Sequence, residues 1–254
     1  MIIEKTTVIS NEMVSSNSYA IWLEAPNLTK HGYYPGQFAM LKCHDSNEFE
    51  NFSRAFSFHQ RDGNRIAFLY TIVGKGTSWL TQRKQGDQVE LYGPLGEGFT
   101  IPRDTGRLLL LGGGIGIAPM PEMASFSISK GHQVTAIMGA NTKAQLLPNS
   151  YWPKEVEYLT VTEDGSQGLP GLITEHLDEP VNWASKIYAC GPEPMFSALA
   201  QTLRGNNRRQ NPEILMEAPM PCGWGICYSC AIFTKHGVQL CCKDGPRFKL
   251  FEVY

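Results

Sequence analysis

Five of the chain's seven cysteines stand within 21 residues: Cys222, Cys227, Cys230, Cys241 and Cys242. Only Cys43 and Cys190 lie elsewhere. An odd count bunched at one end does not make a disulfide framework, which belongs to small exported domains. Residues 1–10 carry an acid and few apolar side chains, so they do not read as an export signal, and a soluble, cytoplasmic chain is expected. The bunched thiols point instead to a metal or cluster site, and any fold must bring them onto one set of loops.

Their spacing is four residues, then two, then ten to Cys241 or eleven to Cys242. Structural zinc sites pair ligands as C-x2-C twice, or as C-x2-C with two histidines. Here one C-x2-C exists, and the x4 gap before it is the plant-type [2Fe–2S] spacing. Gly223 and Gly225 interleave the first two cysteines and permit a loop that aims backbone N–H groups at sulfur. Structural zinc and redox-active C-x-x-C thiols are the other readings of these residues. Cys241 and Cys242 are adjacent, so their side chains diverge and one ligates while the other is a small buried hydrophobe. Spacing alone does not choose between them.

The rest of the composition narrows the class. The net charge is −2 and basic residues occur at most in pairs, which excludes a nucleic-acid or anionic-membrane footprint. The most apolar stretch, 108–120, is interrupted by four glycines and a proline and is too short to span a bilayer. A length of 254 residues suits one large domain, or two small ones with an appendage.

Short segments rich in aromatic and β-branched residues fill the first hundred positions, at 19–25, 37–43, 54–59, 65–73 and 88–93. Turn residues such as Pro35-Gly36 and Asp62-Gly63-Asn64 separate them, which predicts an antiparallel barrel or sandwich. From about residue 104 the pattern alternates: strands at 107–112, 133–140, 156–161 and 186–191, and a helix over 194–203 closed by Gly205. Alternation implies a parallel sheet. The division expected is 1–103, 104–215 and a cysteine-bearing tail, 216–254.

Two turns in the second part carry chemistry. The strand at 107–111 runs into Gly112-Gly113-Gly114-Ile115-Gly116-Ile117-Ala118-Pro119. Bare backbone between a strand and a helix start is a phosphate cradle, although the strict G-x-G-x-x-G order is absent. A tight packing turn is the plain alternative. Cys190-Gly191-Pro192 ends a later strand and by itself is a buried cysteine and a turn. Both turns belong at the carboxyl ends of parallel strands, where open sheets bind ligands.

With Pro35-Gly36-Gln37-Phe38, Arg54-Ala55-Phe56-Ser57, Gly74-Lys75-Gly76-Thr77 and Gly93-Pro94-Leu95-Gly96-Glu97-Gly98-Phe99 ahead of them, these turns form an ordered set. The set resembles the ferredoxin–NADP reductase superfamily. The terminal cysteines, with Cys242-Lys243-Asp244-Gly245-Pro246, make the whole similar to one branch: the electron transfer subunits of class 1B dihydroorotate dehydrogenase. The resemblance covers nearly the whole chain. It implies a flavin-binding antiparallel β-barrel, a parallel α/β nucleotide-binding domain and a small iron–sulfur domain. FAD would lie in the groove between barrel and sheet, with Arg54 and Ser57 on flavin and phosphates and Ala55 and Phe56 lining it. Leu69, Tyr70 and Thr71 would form the next strand contact, and Gly76 and Thr77 would hold the pyrophosphate. NAD would use the Gly112, Gly113, Gly114 and Gly116 loop and Cys190, Gly191 and Pro192. The cluster ligands would be Cys222, Cys227, Cys230 and Cys242, leaving Cys241 over.

The resemblance further implies a partner: a TIM-barrel subunit carrying FMN that oxidises dihydroorotate, two of each chain forming a heterotetramer. Electron transfer needs no protein acid or base, and no catalytic dyad is expected among the six histidines. Thr71 stands where relatives often carry a basic residue, and Arg247 replaces a small apolar one. The segment Asn141-Thr142-Lys143 carries no clear NAD or NADP signal. The competing readings are an electron transfer subunit of a sulfite reductase, hydrogenase or NADPH–ferredoxin complex, and a zinc-stabilised interaction module without redox function.

Overall fold

The computed structural model describes residues 1–44, 53–205 and 210–254. Strands β1 (Ile2–Ser15), β2 (Ser18–Glu24), β3 (Phe38–Leu41), β4 (Arg54–Asp62), β5 (Arg65–Thr71) and β6 (Gln88–Leu95) close into an antiparallel barrel. Their order is β1-β2-β5-β4-β3-β6, with β6 returning to β1. Two short helices, α1 (Pro26–His31) and α2 (Lys75–Thr81), occupy its connections. Strand β5 shows how the barrel serves two cores. Ile66, Phe68 and Tyr70 fill the barrel interior with Ile21, Leu23 and Phe58. Leu69, one step out of phase, turns outward with Ala20 into the core of the neighbouring sheet.

That sheet is built from β7 (Arg107–Gly113), β8 (Gln133–Ala140), β9 (Glu157–Thr162), β10 (Leu169–Pro170), β11 (Lys186–Cys190) and β12 (Glu213–Leu215). Helices α3 (Met120–Ser129), α4 (Asp178–Trp183) and α5 (Glu193–Gly205) connect them. The last segment adds a hairpin, β13 (Ala231–Thr234) with β14 (Gly237–Leu240), then β15 (Arg247–Lys249) and α6 (Leu250–Val253). The sheet order is β10-β9-β8-β7-β11-β12-β15, parallel except for β15, which runs antiparallel to β12. Alternate leucines of β7 face opposite ways. Leu109 and Leu111 meet Phe196, Leu199 and Leu203 of α5, and Leu108 and Leu110 meet Met120 and Met123 of α3. The sheet is therefore covered on both faces, as near-continuous apolar strands require.

The chain runs outward from β7 to β10 and then returns to place β11 on the other side of β7. This reversal sets the glycine loop after β7 beside the turn after β11, with Gly112 and Cys190 in register. Barrel and sheet are fastened across their junction. His59 of β4 is fully buried, and burial brings its pKa down to about 4, so the neutral ring donates from Nδ1 to the Ala118 carbonyl at 2.6 Å. Gln60 donates to the Tyr151 carbonyl at 2.7 Å. Among the described residues no helix is long and apolar enough to cross a membrane.

Candidate functional site

A cavity of about 300 Å³ lies between barrel and sheet. Strand β4 brings Ala55, Phe56 and Ser57 to it, β5 brings Leu69, Tyr70 and Thr71, and α2 brings Thr77. Cys190 closes it from the sheet side. A second cavity, about 550 Å³, continues past Ala55, Phe56 and Thr77 to Arg54 and Gly76. The two share these walls and form one groove, mostly apolar at the sheet end apart from Glu217 and carrying cationic Arg54 and Lys75 at the other. Gly76 is where the backbone comes close: a Cβ there would stand 3.3 Å from Cys43 and 3.4 Å from Arg54. The Thr77 hydroxyl is committed to its own turn, accepting from Val73 N–H at 2.9 Å and donating to the Gly74 carbonyl at 3.1 Å. Tyr70 reaches the wall, but its hydroxyl donates inward to Asn11 at 3.0 Å. Burial raises its pKa further from the physiological range.

A third cavity, about 490 Å³, opens over the sheet's reversal point. Gly113, Gly114, Gly116, Gly191 and Pro192 line it, so both sequence turns meet there. Gly112 instead packs against Ile117, and Cys190 borders the groove rather than this cavity. Two of the loop's glycines have separate reasons. Gly114 has φ +55°, a left-handed backbone, and a Cβ on Gly116 would collide with the Cys190 carbonyl. The loop passes through a 3₁₀ turn, 114–117, before α3 begins, with Pro119 as its N-cap. Ile115 and Glu217 border both this cavity and the groove, so the two spaces adjoin.

The cysteine loop packs on the barrel end beside the groove. Gly223 and Gly225 have φ +67° and +74°, and Gly223 lies against Met40 and Leu95. The Tyr92 hydroxyl donates to the Cys222 carbonyl at 3.1 Å, and its ring stacks on Trp224 at 5.9 Å. Backbone N–H groups aim at sulfur: Trp224 at Cys222 (3.4 Å), Gly225 at Cys242 (3.1 Å) and Cys242 at Cys230 (3.4 Å). Burial raises the Cys222 pKa, but the N–H groups of Cys227, Trp224 and Ile226 outweigh it and bring the thiol down to about 6. Cys222 is hydrogen-bonded to Cys227, and Cys242 to Cys230. The four thiols thus stand as two pairs, and among the described residues no three ligating side chains converge on one ion. A [2Fe–2S] cluster takes two thiolates per iron, so this donor set fits it. Cys241 points away, with Sγ 3.0 Å from the Met216 carbonyl.

Residues 217–254 match the family model for the iron–sulfur cluster binding domain of dihydroorotate dehydrogenase B. The chain is 34% identical over 258 residues to a Geobacillus thermodenitrificans dihydroorotate dehydrogenase B (NAD(+)) electron transfer subunit, covering 98% of each chain. A homologue of that subunit from Aquifex aeolicus is 32% identical, over 97% of this chain and 96% of its own. The chain belongs to this family of electron transfer subunits. It is an oxidoreductase component, and its C-terminal segment is the family's cluster-binding domain. The fold agrees with solved structures. An NADH-dependent reduced ferredoxin–NADP oxidoreductase, studied for flavin-based electron bifurcation, superposes with a TM-score of 0.87 at 23% identity, over 99% of this chain and 90% of its own. A Neisseria gonorrhoeae ferredoxin NADP+ reductase with bound FAD and NADP gives 0.66 at 18%, over 80% and 91%.

Sequence reasoning missed one wall. Met216, Glu217, Ala218 and Met220 line the groove, and Glu163 lines the third cavity together with Asn141, which the sequence did mark. No motif marks residues 216–220. Their position between the last parallel strand and the first cysteine was the available signal, because that connection must pass the groove.

Proposed function

We propose that this chain passes electrons from the flavin of a catalytic partner to NAD+, through a [2Fe–2S] cluster and FAD, in the oxidation of dihydroorotate to orotate. The observation that carries it is adjacency. One groove touches the nucleotide cavity at Ile115 and Glu217 and the cysteine segment at residues 218–221. Segment 1–103 serves the flavin, 104–215 the nucleotide and 216–254 the cluster. A flavin exchanges hydride with nicotinamide and single electrons with a cluster, which is the chemistry FAD supplies here.

This chain's own residues hold and orient. Ala55, Phe56, Ser57, Leu69, Tyr70 and Thr71 would form the flavin wall, and Arg54, Gly76 and Thr77 would meet the pyrophosphate. Gly113, Gly114, Gly116, Gly191 and Pro192 would receive the dinucleotide, with Gly112 and Cys190 fixing the loops around them. Cys222, Cys227, Cys230 and Cys242 would hold the cluster. The ligand loop leaves Ile226 and Tyr228 exposed, at 76% and 64%, with Trp224 beside them. An apolar rim around the cluster suits docking onto the partner. That partner is a TIM-barrel subunit with FMN, in a cytoplasmic heterotetramer of two of each chain.

Purified without oxygen, the chain is expected to carry about two iron and two acid-labile sulfide. Cys242→Ser should lose both, and Cys241→Ser should keep them. Stoichiometric zinc without iron would end this reading. Arg54→Ala removes a charge-assisted contact worth about 1.5–3 kcal/mol, so FAD retention should fall roughly tenfold or more in a fluorescence titration. Undiminished retention would make Arg54 an ordinary surface charge.

A further inference from the structure

We infer that Cys241, the cysteine left over by the ligand set, is a positioning residue for the flavin: its thiol pins the wall of the FAD groove to the cluster loop. The inference rests on the FAD and cluster assignments proposed above and adds a role that neither assigns.

Cys241 is completely buried, and its backbone and side chain face different partners. Its N–H donates to the Cys230 carbonyl at 3.0 Å, and the next residue, Cys242, donates to Cys230 Sγ. The backbone therefore belongs to the cysteine loop. Its Sγ lies 3.0 Å from the Met216 carbonyl, which can only accept, so the thiol donates. Met216 N–H in turn donates to the Pro246 carbonyl at 2.8 Å. Both polar backbone groups of Met216 are thus tied to the 241–246 segment. Met216 and Pro246 each line the groove, and Met216 begins the connection that leads to the first ligand, Cys222. The barrel is held to the same segment: Glu97 N–H donates to the Gly245 carbonyl at 2.6 Å.

Removing the thiol leaves the Met216 carbonyl without this donor and frees one end of the groove wall, while the four ligands stay untouched. A net hydrogen bond of about 1 kcal/mol corresponds to roughly a fivefold change in affinity. The effect should fall on the flavin and spare the cluster, although Cys241 is bonded to a cluster ligand. A residue that only fills space would not show that division.

The test compares full-length wild type, Cys241→Val and Cys241→Ser. Valine removes the donor but is larger by about a methyl group, and serine keeps a donor. FAD release on dilution is followed by its fluorescence, and the cluster by iron content and EPR in the same samples. Cys241→Val should release FAD about fivefold more readily with iron and EPR signal unchanged, and Cys241→Ser should stay near wild type. Cys241→Ala, with its thermal melt, substitutes for valine if that variant misfolds. Equal FAD release in all variants overturns the inference, as does equal loss from valine and serine, or loss of iron from either. Wild type that carries no FAD or no cluster fails the proposed function itself, a separate outcome.

Discussion

Alone, the chain is expected to reduce artificial dyes with NADH and to leave dihydroorotate untouched; adding its cognate partner should create dihydroorotate:NAD+ activity. A TIM barrel takes about 250 residues by itself. Here the first part closes as a six-stranded barrel, the second is an open sheet, and the tail supplies the cysteine loop and the edge strand β15. Among the described residues no segment is left for substrate chemistry of that kind. Cys227 lies exposed on the loop that bears Ile226 and Tyr228, the face proposed above for docking. Cys227→Ser should therefore bring coupled activity to background while the partner's own dye reduction is intact. Dihydroorotate oxidation by the isolated chain would refute the assignment, and so would failure to couple with the partner. Coupling that survives loss of the cluster would remove the cluster from the route.

Much of this architecture was legible because its signals are local. Glycine, proline and asparagine turns bound β2 through β6, and the sheet's apolar strands contrast with the polar connections around them. Strand β1 was not legible, although it is the longest. Its inward positions include Glu4 and Thr6, which are buried yet polar. The Glu4 carboxylate accepts the N–H groups of Asn27 and Leu28 at 3.0 and 2.9 Å, at the start of α1, and Thr6 donates to the Val89 carbonyl at 2.6 Å. Hydrophobic periodicity cannot register a strand whose interior is satisfied by hydrogen bonds. Strand β15 escaped for a different reason. It pairs with β12 across more than thirty residues of chain, most of them in the cysteine loop. The cysteine spacing was the clearest site signal, because Trp224 and Gly225, whose N–H groups aim at sulfur, stand between the first two cysteines. The groove wall at 216–220 depends on tertiary placement and left no motif to read.

The nucleotide cavity should favour NADH over NADPH by about a hundredfold or more in kcat/KM, measured by dye reduction. The sequence around Asn141 was silent on this choice, but the cavity's charges are not. Among its described lining residues the ionisable ones are Glu163 and Glu217, and none is a lysine or arginine. Glu217 sits where the cavity meets the groove, the end that nicotinamide would take in the proposed reading. Glu163 and Asn141 follow β9 and β8 on the far side of the glycine loop, where the adenosine end would lie in the proposed reading. A carboxylate there can accept from the ribose 2′-hydroxyl, whereas a 2′-phosphate would bring roughly two negative charges against it. Glu163 is exposed, so solvent screens the repulsion; about 1.4 kcal/mol of it is tenfold, and the hydrogen bond to the 2′-hydroxyl that NADPH lacks adds a similar amount. Glu163→Gln should narrow the preference by roughly tenfold, since it removes the repulsion but adds no cation. Glu163→Arg should narrow it further by offering the phosphate a bidentate partner. Equal use of both nucleotides by the wild type would show that the 2′ position lies outside this cavity, and an unchanged ratio in both variants would place it away from Glu163.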